Sequence, residues 1–212
     1  MLGLLDCHNM KTCRPGSGPS ERKEGAAREE FHDEIQMAYY NGWKKMHGLK
    51  MLTVLMPNGL SAMAGPWSMR TNDLDSVNMS NLDNFLNEIQ IDHQHKYSVY
   101  GDGIFHDLVT VDSRIRSYHR EGPFAPLTQF QEHENKCFKK VRMQIEFTYG
   151  DLYNKFKVFE NRNDWKLMNQ GNARMIKFII FIMNCHSCLH ANNCATYFNF
   201  PSPSLEEYLY GS

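Results

Sequence analysis

The chain has 212 residues, of which 42% are hydrophobic and 22% are charged, and its formal net charge is −1. This size and composition predict one globular domain with a sizeable core and exclude a globally disordered chain. The charge balance lacks the strong basic excess that is usual in nucleic-acid-binding proteins. Any binding to DNA must therefore be local or must depend on a separate basic module.

The first predicted elements are a strand, a loop and a hairpin. Residues 2–7 begin with the apolar run Leu2-Gly3-Leu4-Leu5 and predict a buried strand, whereas the polar stretch 11–30 contains several Pro and Gly and predicts a mobile loop. The apolar runs 48–54 and 60–64 are joined by Pro57-Asn58-Gly59. That pattern predicts a β-hairpin closed by an Asn-Gly turn.

The rest of the chain is mainly helical in its apolar spacing. The predicted elements are a helix over residues 73–91 with Asp73 as N-cap, a buried strand over 96–100, a basic loop over 113–126, a long helix over 128–159 and a core helix over 172–188. The apolar run 175–183 is too short, and carries a Lys, to span a bilayer. This order favours an α/β fold with a mixed sheet flanked by helices over residues 1–200, followed by a C-terminal tail over 201–212.

Three acidic residues stand in contexts suited to divalent metal. Asp6 ends the first apolar run, Asp102 follows the strand predicted at 96–100, and Glu146 lies at the edge of the apolar stripe of the long helix. Two strand-end aspartates and one helix glutamate can hold two Mg²⁺ ions, and such a cage cuts phosphodiester bonds by activating water and neutralising the leaving oxygen. Spacing alone favours three unrelated solvated acids over a metal triad.

A basic cluster enters the predicted hairpin and consists of Lys44, Lys45, His47 and Lys50. The functional interpretation is contact with the DNA backbone, which is sequence-independent and salt-sensitive. The alternative is a strand edge that its lysines keep solvated. A second basic run over residues 114–120 is interpreted as a solvated loop.

Arg142 lies four residues before Glu146 on the predicted long helix. Its guanidinium could orient the glutamate carboxylate or bind a phosphate through two hydrogen bonds. The alternative is an ordinary surface ion pair, which contributes little to stability. The sequence leaves both interpretations open.

The six cysteines follow no signal peptide, so free thiols in a reducing compartment are expected. The C-terminal residues that could bind zinc by their spacing are Cys185, Cys188, His190 and Cys194. Because the first two of these cysteines extend an apolar helix, buried free thiols are the favoured interpretation.

Four segments resemble the DDE superfamily endonuclease domain of PIF/Harbinger-type transposases. They are Leu4-Leu5-Asp6 with the downstream Cys13-Arg14-Pro15, residues 40–50, Tyr100-Gly101-Asp102-Gly103, and residues 141–146 with Phe147 and Gly150. The resemblance covers nearly the whole chain and implies an RNase H-like α/β fold. It also implies that Asp6, Asp102 and Glu146 are catalytic acids that hold two Mg²⁺ or Mn²⁺ ions, in an order with 95 and 43 intervening residues.

The implied activity is metal-dependent cleavage of phosphodiester bonds at transposon ends, by hydrolysis and strand transfer, in the nucleus. DNA is the implied partner, and a separate DNA-binding partner protein and a homo-oligomer remain open. No membrane association is expected.

Three positions depart from the family pattern. Cys7-His8 replaces small residues after the first Asp, Trp43 replaces a His, and Gly103-Ile104-Phe105 replaces a small residue followed by Gly-Tyr. The sequence also begins almost at the first catalytic strand, without the helix-turn-helix-like region expected in a full transposase. The chain is therefore interpreted as a truncated transposase. The alternatives are a catalytically inactive or domesticated remnant that serves as a DNA- or protein-interaction module, and a small zinc-stabilised interaction domain.

Overall fold

The computed structural model describes residues 2–14, 34–89, 97–109, 113–123, 125–160, 171–190 and 192–211. The strands are β1 (Gly3–Lys11), β2 (Tyr40–Asn41), β3 (Met46–Leu55), β4 (Ser61–Ser68), β5 (Val99–Tyr100) and β6 (Ile115–Arg116). The labelled α-helices are α1 (Asp73–Ser80), α2 (Leu82–Glu88), α3 (Gln129–Lys155), α4 (Asn172–Leu189), α5 (Asn193–Phe198) and α6 (Leu205–Tyr210). Two 3-10 helices, Gly103–Leu108 and Lys157–Phe159, and a helical segment at residues 34–39 complete the description.

The strands form one mixed sheet in the order β2-β3-β1-β5-β6, and β4 also pairs with β3. Neighbouring strands are antiparallel among β1, β3 and β4, whereas β5 runs parallel to β1 and β6 runs parallel to β5. Helices flank this sheet. The predicted RNase H-like α/β fold is thereby confirmed.

Strand β1 lies in the middle of the sheet and is covered on both faces. Leu4 packs in a cluster with Ile145 of α3, and Leu5 packs in another cluster with Leu86 of α2. Each of these leucines is fully buried and contributes roughly 1.5–3 kcal/mol to stability. Because successive strand residues face opposite sides, Asp6 shares the face of Leu4, on which α3 lies.

The predicted hairpin is confirmed as the pair β3–β4. The backbone N–H of Gly59 donates to the carbonyl of Met56 at 2.8 Å, and Met56 N–H donates to the carbonyl of Leu60 at 2.8 Å. Gly59 has a φ of 81°, a backbone conformation that residues with a side chain rarely adopt. The Asn-Gly pair therefore closes the hairpin because its glycine supplies that positive φ.

The helix predicted over residues 73–91 is wrong in its cap and its continuity. Asn72, not Asp73, caps α1, since the Asn72 side chain accepts a 2.6 Å hydrogen bond from the backbone of Asp75. The helix then breaks at Asn81, whose φ of 57° is left-handed, and α2 begins at the next residue. Asparagine tolerates this conformation better than most residues, so the helix can break at Asn81.

Other predicted boundaries also shift. β1 extends to Lys11, and residues 15–30 of the predicted loop lie outside the described residues, as does Lys96 of the predicted strand. The basic loop predicted over 113–126 contains the short strand β6. The predicted long helix is α3, which starts with a capping box between Thr128 and Gln131, and α4 matches the predicted core helix. Among the described residues, no helix is both long and apolar enough to cross a membrane.

Candidate active site

Parallel pairing of β1 with β5 places the two predicted aspartates side by side. The register aligns Leu4 with Tyr100, and each aspartate lies two residues beyond its member of that pair. Asp6 remains inside β1, where it pairs with Thr53 of β3, whereas Asp102 lies just past the end of β5. Chain segments far apart in sequence thus present two carboxylates at one position of the sheet.

The orientation of Asp102 is fixed by the 3-10 helix that follows it. Its Oδ1 accepts a 2.9 Å hydrogen bond from the backbone of Ile104 and so caps that helix. The same helix inserts Phe105 into the core, where the ring is fully buried. Oδ2 of Asp102 is left to face helix α3.

Gly101 is the position where Phe105 requires a glycine. A Cβ at Gly101 would lie 2.4 Å from Cδ2 of the Phe105 ring, whereas a Cβ at Gly103 would meet nothing closer than 4.0 Å. Gly101→Ala is therefore expected to lower the free energy of unfolding by about 2 kcal/mol because of overpacking. Urea unfolding checks this, with Gly103→Ala as the matched control. Equal stability of the two variants would contradict the account.

Helix α3 brings the third acid and a cation to the two aspartates. Nη2 of Arg142 lies 2.6 Å from Oε1 of Glu146, one helical turn further along. Nη1 of the same guanidinium lies 3.5 Å from Oδ2 of Asp102 and 4.0 Å from Oδ1 of Asp6. All three predicted acids therefore converge on one positive group, which we call the acid cluster.

The acid cluster has the donor set that Mg²⁺ and Mn²⁺ prefer, because its three members offer only carboxylate oxygens. The Arg142 guanidinium acts as a stand-in cation at its centre. No three His, Cys, Asp or Glu side chains in the described ranges already have a geometry that could hold an ion. The acid cluster therefore offers the donor type that a divalent metal requires, while its centre is taken by the Arg142 guanidinium.

Burial and charge tune Asp6 differently from an ordinary surface aspartate. Burial raises the pKa of the Asp6 carboxyl from its usual 3.8 to about 6, the Arg142 guanidinium opposes that rise, and the Asp102 carboxylate adds to it. The charged form of Asp6 is therefore unfavourable in the folded protein near neutral pH. A bound cation would stabilise that charged form.

Asp6→Asn is expected to stabilise the metal-free protein at pH 7 by roughly 2 kcal/mol. In the wild type the folded carboxyl keeps its proton up to about pH 6, whereas the unfolded carboxyl loses it near 3.8. The free energy of unfolding of the wild type therefore falls as the pH rises from 3.8 to about 6. Asp6→Asn has no proton to lose at this position, so its stability does not fall for this reason. Urea unfolding with EDTA at pH 4 and pH 7 checks it, and an equal difference at both pH values would contradict it.

His8 lies on the same strand face as Asp6 of the acid cluster. In the sequence this histidine stood out only as a departure from the family pattern. Its ring stacks on Tyr149 with centroids 4.2 Å apart, and Nε2 lies 3.0 Å from the hydroxyl of Tyr153. Burial lowers the pKa of His8 to about 4, and the nearby Lys44 ammonium adds to the effect, so the imidazole is neutral. The available signal was its spacing of two residues from Asp6, which places both side chains on one face.

The basic cluster of the hairpin divides into exposed and buried members. Lys44 and Lys45 are exposed in the turn between β2 and β3, and the ring of His47 lies 5.1 Å from that of Tyr40. The structure corrects the prediction for Lys50, whose side chain is 5% exposed and forms an ion pair with Asp73. Lys50 therefore has no surface to offer a DNA backbone.

The C-terminal cysteines do not gather into a zinc site. Sγ of the buried Cys194 faces the carbonyl oxygen of Met56 at 3.4 Å. Within the described part of the chain, Cys185, Cys188 and His190 form no metal-holding group with it. The structure gives no support to the zinc-stabilised interpretation.

The fold and the acid cluster together define a class. A mixed sheet that collects three carboxylates from strands and a helix is the arrangement that two-metal nucleases use. A family model described as DDE superfamily endonuclease matches residues 5–190, a range that includes all three acids. The chain therefore belongs to this family and is a transposase-like nuclease domain. No curated protein and no solved structure matches it.

Proposed function

We propose that this chain is a divalent-metal-dependent DNA endonuclease of the PIF/Harbinger transposase type, acting in the nucleus, with Asp6, Asp102 and Glu146 as its catalytic acids. Its substrate is the phosphodiester backbone at transposon ends. The observation that carries the proposal is the convergence of those three carboxylates on one guanidinium. Family membership supplies DNA as the substrate class.

Each residue of the acid cluster has a distinct part in this proposal. Asp6 and Asp102 would hold two Mg²⁺ or Mn²⁺ ions from adjacent strands, and Glu146 would complete one site from the helix. When bound, the ions supply activation of the attacking water and neutralisation of the leaving 3′ oxygen. Arg142, once freed from the carboxylates, is placed to bind a nonbridging phosphate oxygen through its paired N–H groups. Lys44, Lys45 and His47 would contact the DNA backbone beyond the site.

Plasmid nicking tests the proposed activity. Supercoiled DNA is expected to be converted to open circles in Mn²⁺ and in Mg²⁺ and to remain supercoiled in EDTA. Mn²⁺ binding, followed by the loss of the free-ion electron paramagnetic resonance signal, provides a second readout that does not require turnover. A folded protein that neither binds Mn²⁺ nor nicks DNA would refute the proposal.

The second candidate is a catalytically inactive remnant that keeps the fold as a DNA- or protein-interaction module. The observation in its favour is that the Arg142 guanidinium already occupies the centre of the acid cluster, with its shortest contact to Glu146 at 2.6 Å. A chain in which this guanidinium cannot move would bind no metal. Binding of DNA without any binding of Mn²⁺ would select this candidate over the endonuclease.

A further inference from the structure

The turn between β2 and β3 carries an indole that the protein itself does not cover. This Trp43 turn comprises Gly42, Trp43, Lys44 and Lys45. The Trp43 side chain is 90% exposed, although tryptophan is highly buried on average in folded proteins. An apolar ring held in water on a basic turn indicates a surface shaped for a partner.

The side chain of Asn41 holds the Trp43 turn in place through two hydrogen bonds. Oδ1 of Asn41 accepts a 2.9 Å hydrogen bond from the backbone of Lys44, and Nδ2 of Asn41 donates at 2.9 Å to the carbonyl of Met69. Pairing of Asn41 with Met46 closes the hairpin beneath it. The indole therefore projects from an ordered support, so little further ordering is needed when a ligand stacks on it.

Two exposed lysines follow the indole directly in the same turn. Lys44 and Lys45 are exposed on the same turn as Trp43. Strand β3 begins directly after the turn and pairs along β1, the strand that carries Asp6. At about 3.3 Å per residue along β3, the turn lies roughly 25 Å from Thr53, the residue that pairs with Asp6.

We propose that Trp43 stacks on an unpaired base of the DNA substrate, while Lys44 and Lys45 hold the adjoining phosphates. This inference deepens the proposed function, on which it rests. An indole next to lysines has the chemistry of a single-strand binding platform, because every base presents a π face and the backbone between bases is anionic. The expected contact is therefore tolerant of sequence and needs an unstacked base, as in a gap, a flap or a locally opened duplex.

The test is binding in EDTA, where cleavage is not required. Fluorescence anisotropy is measured with a labelled duplex that contains a short single-stranded gap and with the same duplex fully paired. Trp43→Ala is expected to weaken binding to the gapped DNA about tenfold and to leave the paired duplex nearly unaffected, whereas Trp43→Phe retains most of the affinity. Replacing Lys44 and Lys45 by Ala is expected to weaken binding to both DNAs and to flatten the salt dependence.

A matched control separates stacking from general loss of an exposed aromatic residue. Tyr210 is 85% exposed on α6, and Tyr210→Ala is expected to bind both DNAs like the wild type. Quenching of intrinsic fluorescence by gapped DNA gives a direct readout of the indole, and it is expected in the wild type and absent in Trp43→Phe. Thermal melting is expected to be unchanged in both Trp43 variants, since the ring is not packed.

Unaltered binding of gapped DNA by Trp43→Ala would overturn the proposal, and so would persistent quenching in Trp43→Phe or absence of binding by the wild type. The outcome is independent of whether the chain cuts DNA. If Trp43-dependent binding is found but Mn²⁺ supports no nicking, the base contact stands and the endonuclease proposal fails. If Mn²⁺ supports nicking but Trp43→Ala leaves DNA binding unchanged, the endonuclease proposal stands and the base contact fails.

Discussion

Asp102→Asn is expected to reduce Mn²⁺-dependent nicking by roughly three orders of magnitude, which corresponds to about 4 kcal/mol of transition-state stabilisation. Asp102 lies beside Asp6 and presents one carboxylate oxygen to the centre of the acid cluster, so in the proposed site it would be the ligand best placed to serve both ions. An amide is neutral and gives only one oxygen. Supercoil conversion at saturating enzyme, with and without Mn²⁺, provides the measurement.

The choice of asparagine keeps the fold intact in this experiment. Asparagine caps helices about as well as aspartate, so the bond from the backbone of Ile104 to Oδ1 is retained. Asp107→Asn is the matched control, because Asp107 lies on the same 3-10 helix, where it pairs with the exposed Arg120 at 3.3 Å. Loss of nicking in both variants, or in neither, would argue against a metal role for Asp102.

Arg142→Gln is expected to have opposite effects on the metal-free and metal-bound protein. Three carboxylates lose their shared counter-ion, so the free energy of unfolding in EDTA is expected to fall by about 2 kcal/mol, a decrease of roughly 4–8 °C in Tm. Mn²⁺ then meets the same carboxylates without competition, and its affinity is expected to rise about tenfold. Differential scanning fluorimetry in EDTA and calorimetric titration with Mn²⁺ measure the two effects.

The comparison with Arg142→Lys shows which property of the arginine matters. Lysine keeps the charge but cannot contact separate carboxylates with two nitrogen groups, so intermediate stability and intermediate Mn²⁺ affinity are expected. If Arg142→Gln changes neither stability nor Mn²⁺ affinity, the contacts to Asp6, Asp102 and Glu146 are only an ordinary surface ion-pair network. That result would select the surface-pair interpretation that the sequence left open.

The sheet and the long helix could be predicted because their signals are local. Apolar runs, the Asn-Gly turn and the regular apolar spacing of the long helix each specify a structure within a few residues. Asp6, Asp102 and Glu146 could be singled out because the segments around them resemble the DDE endonuclease family, since spacing alone favoured three unrelated acids. Their mutual placement needed the parallel register of β1 with β5, which no local pattern contains.

The missed features depend on contacts between distant segments. β6 has only two residues, and its Ile115 becomes a strand residue because β5 is available to pair with it. Lys50 belongs to a run of basic residues in the sequence, yet the strand register buries it beside Asp73. Only one of the contacts of Arg142 could be predicted from the sequence. Its spacing from Glu146 predicted that contact, whereas Asp6 and Asp102 come from distant segments of the chain.

The pairing of Arg142 with Glu146 also bears on how the acid cluster assembles during folding. These residues lie one turn apart on the same helix, so their contact forms as soon as α3 does and needs no tertiary structure. When α3 packs on the sheet, Glu146 is therefore already paired with Arg142. The same guanidinium then contacts Asp6 and Asp102. The three carboxylates therefore do not have to be brought together unpaired in a single docking event, and the acid cluster can form without a bound metal.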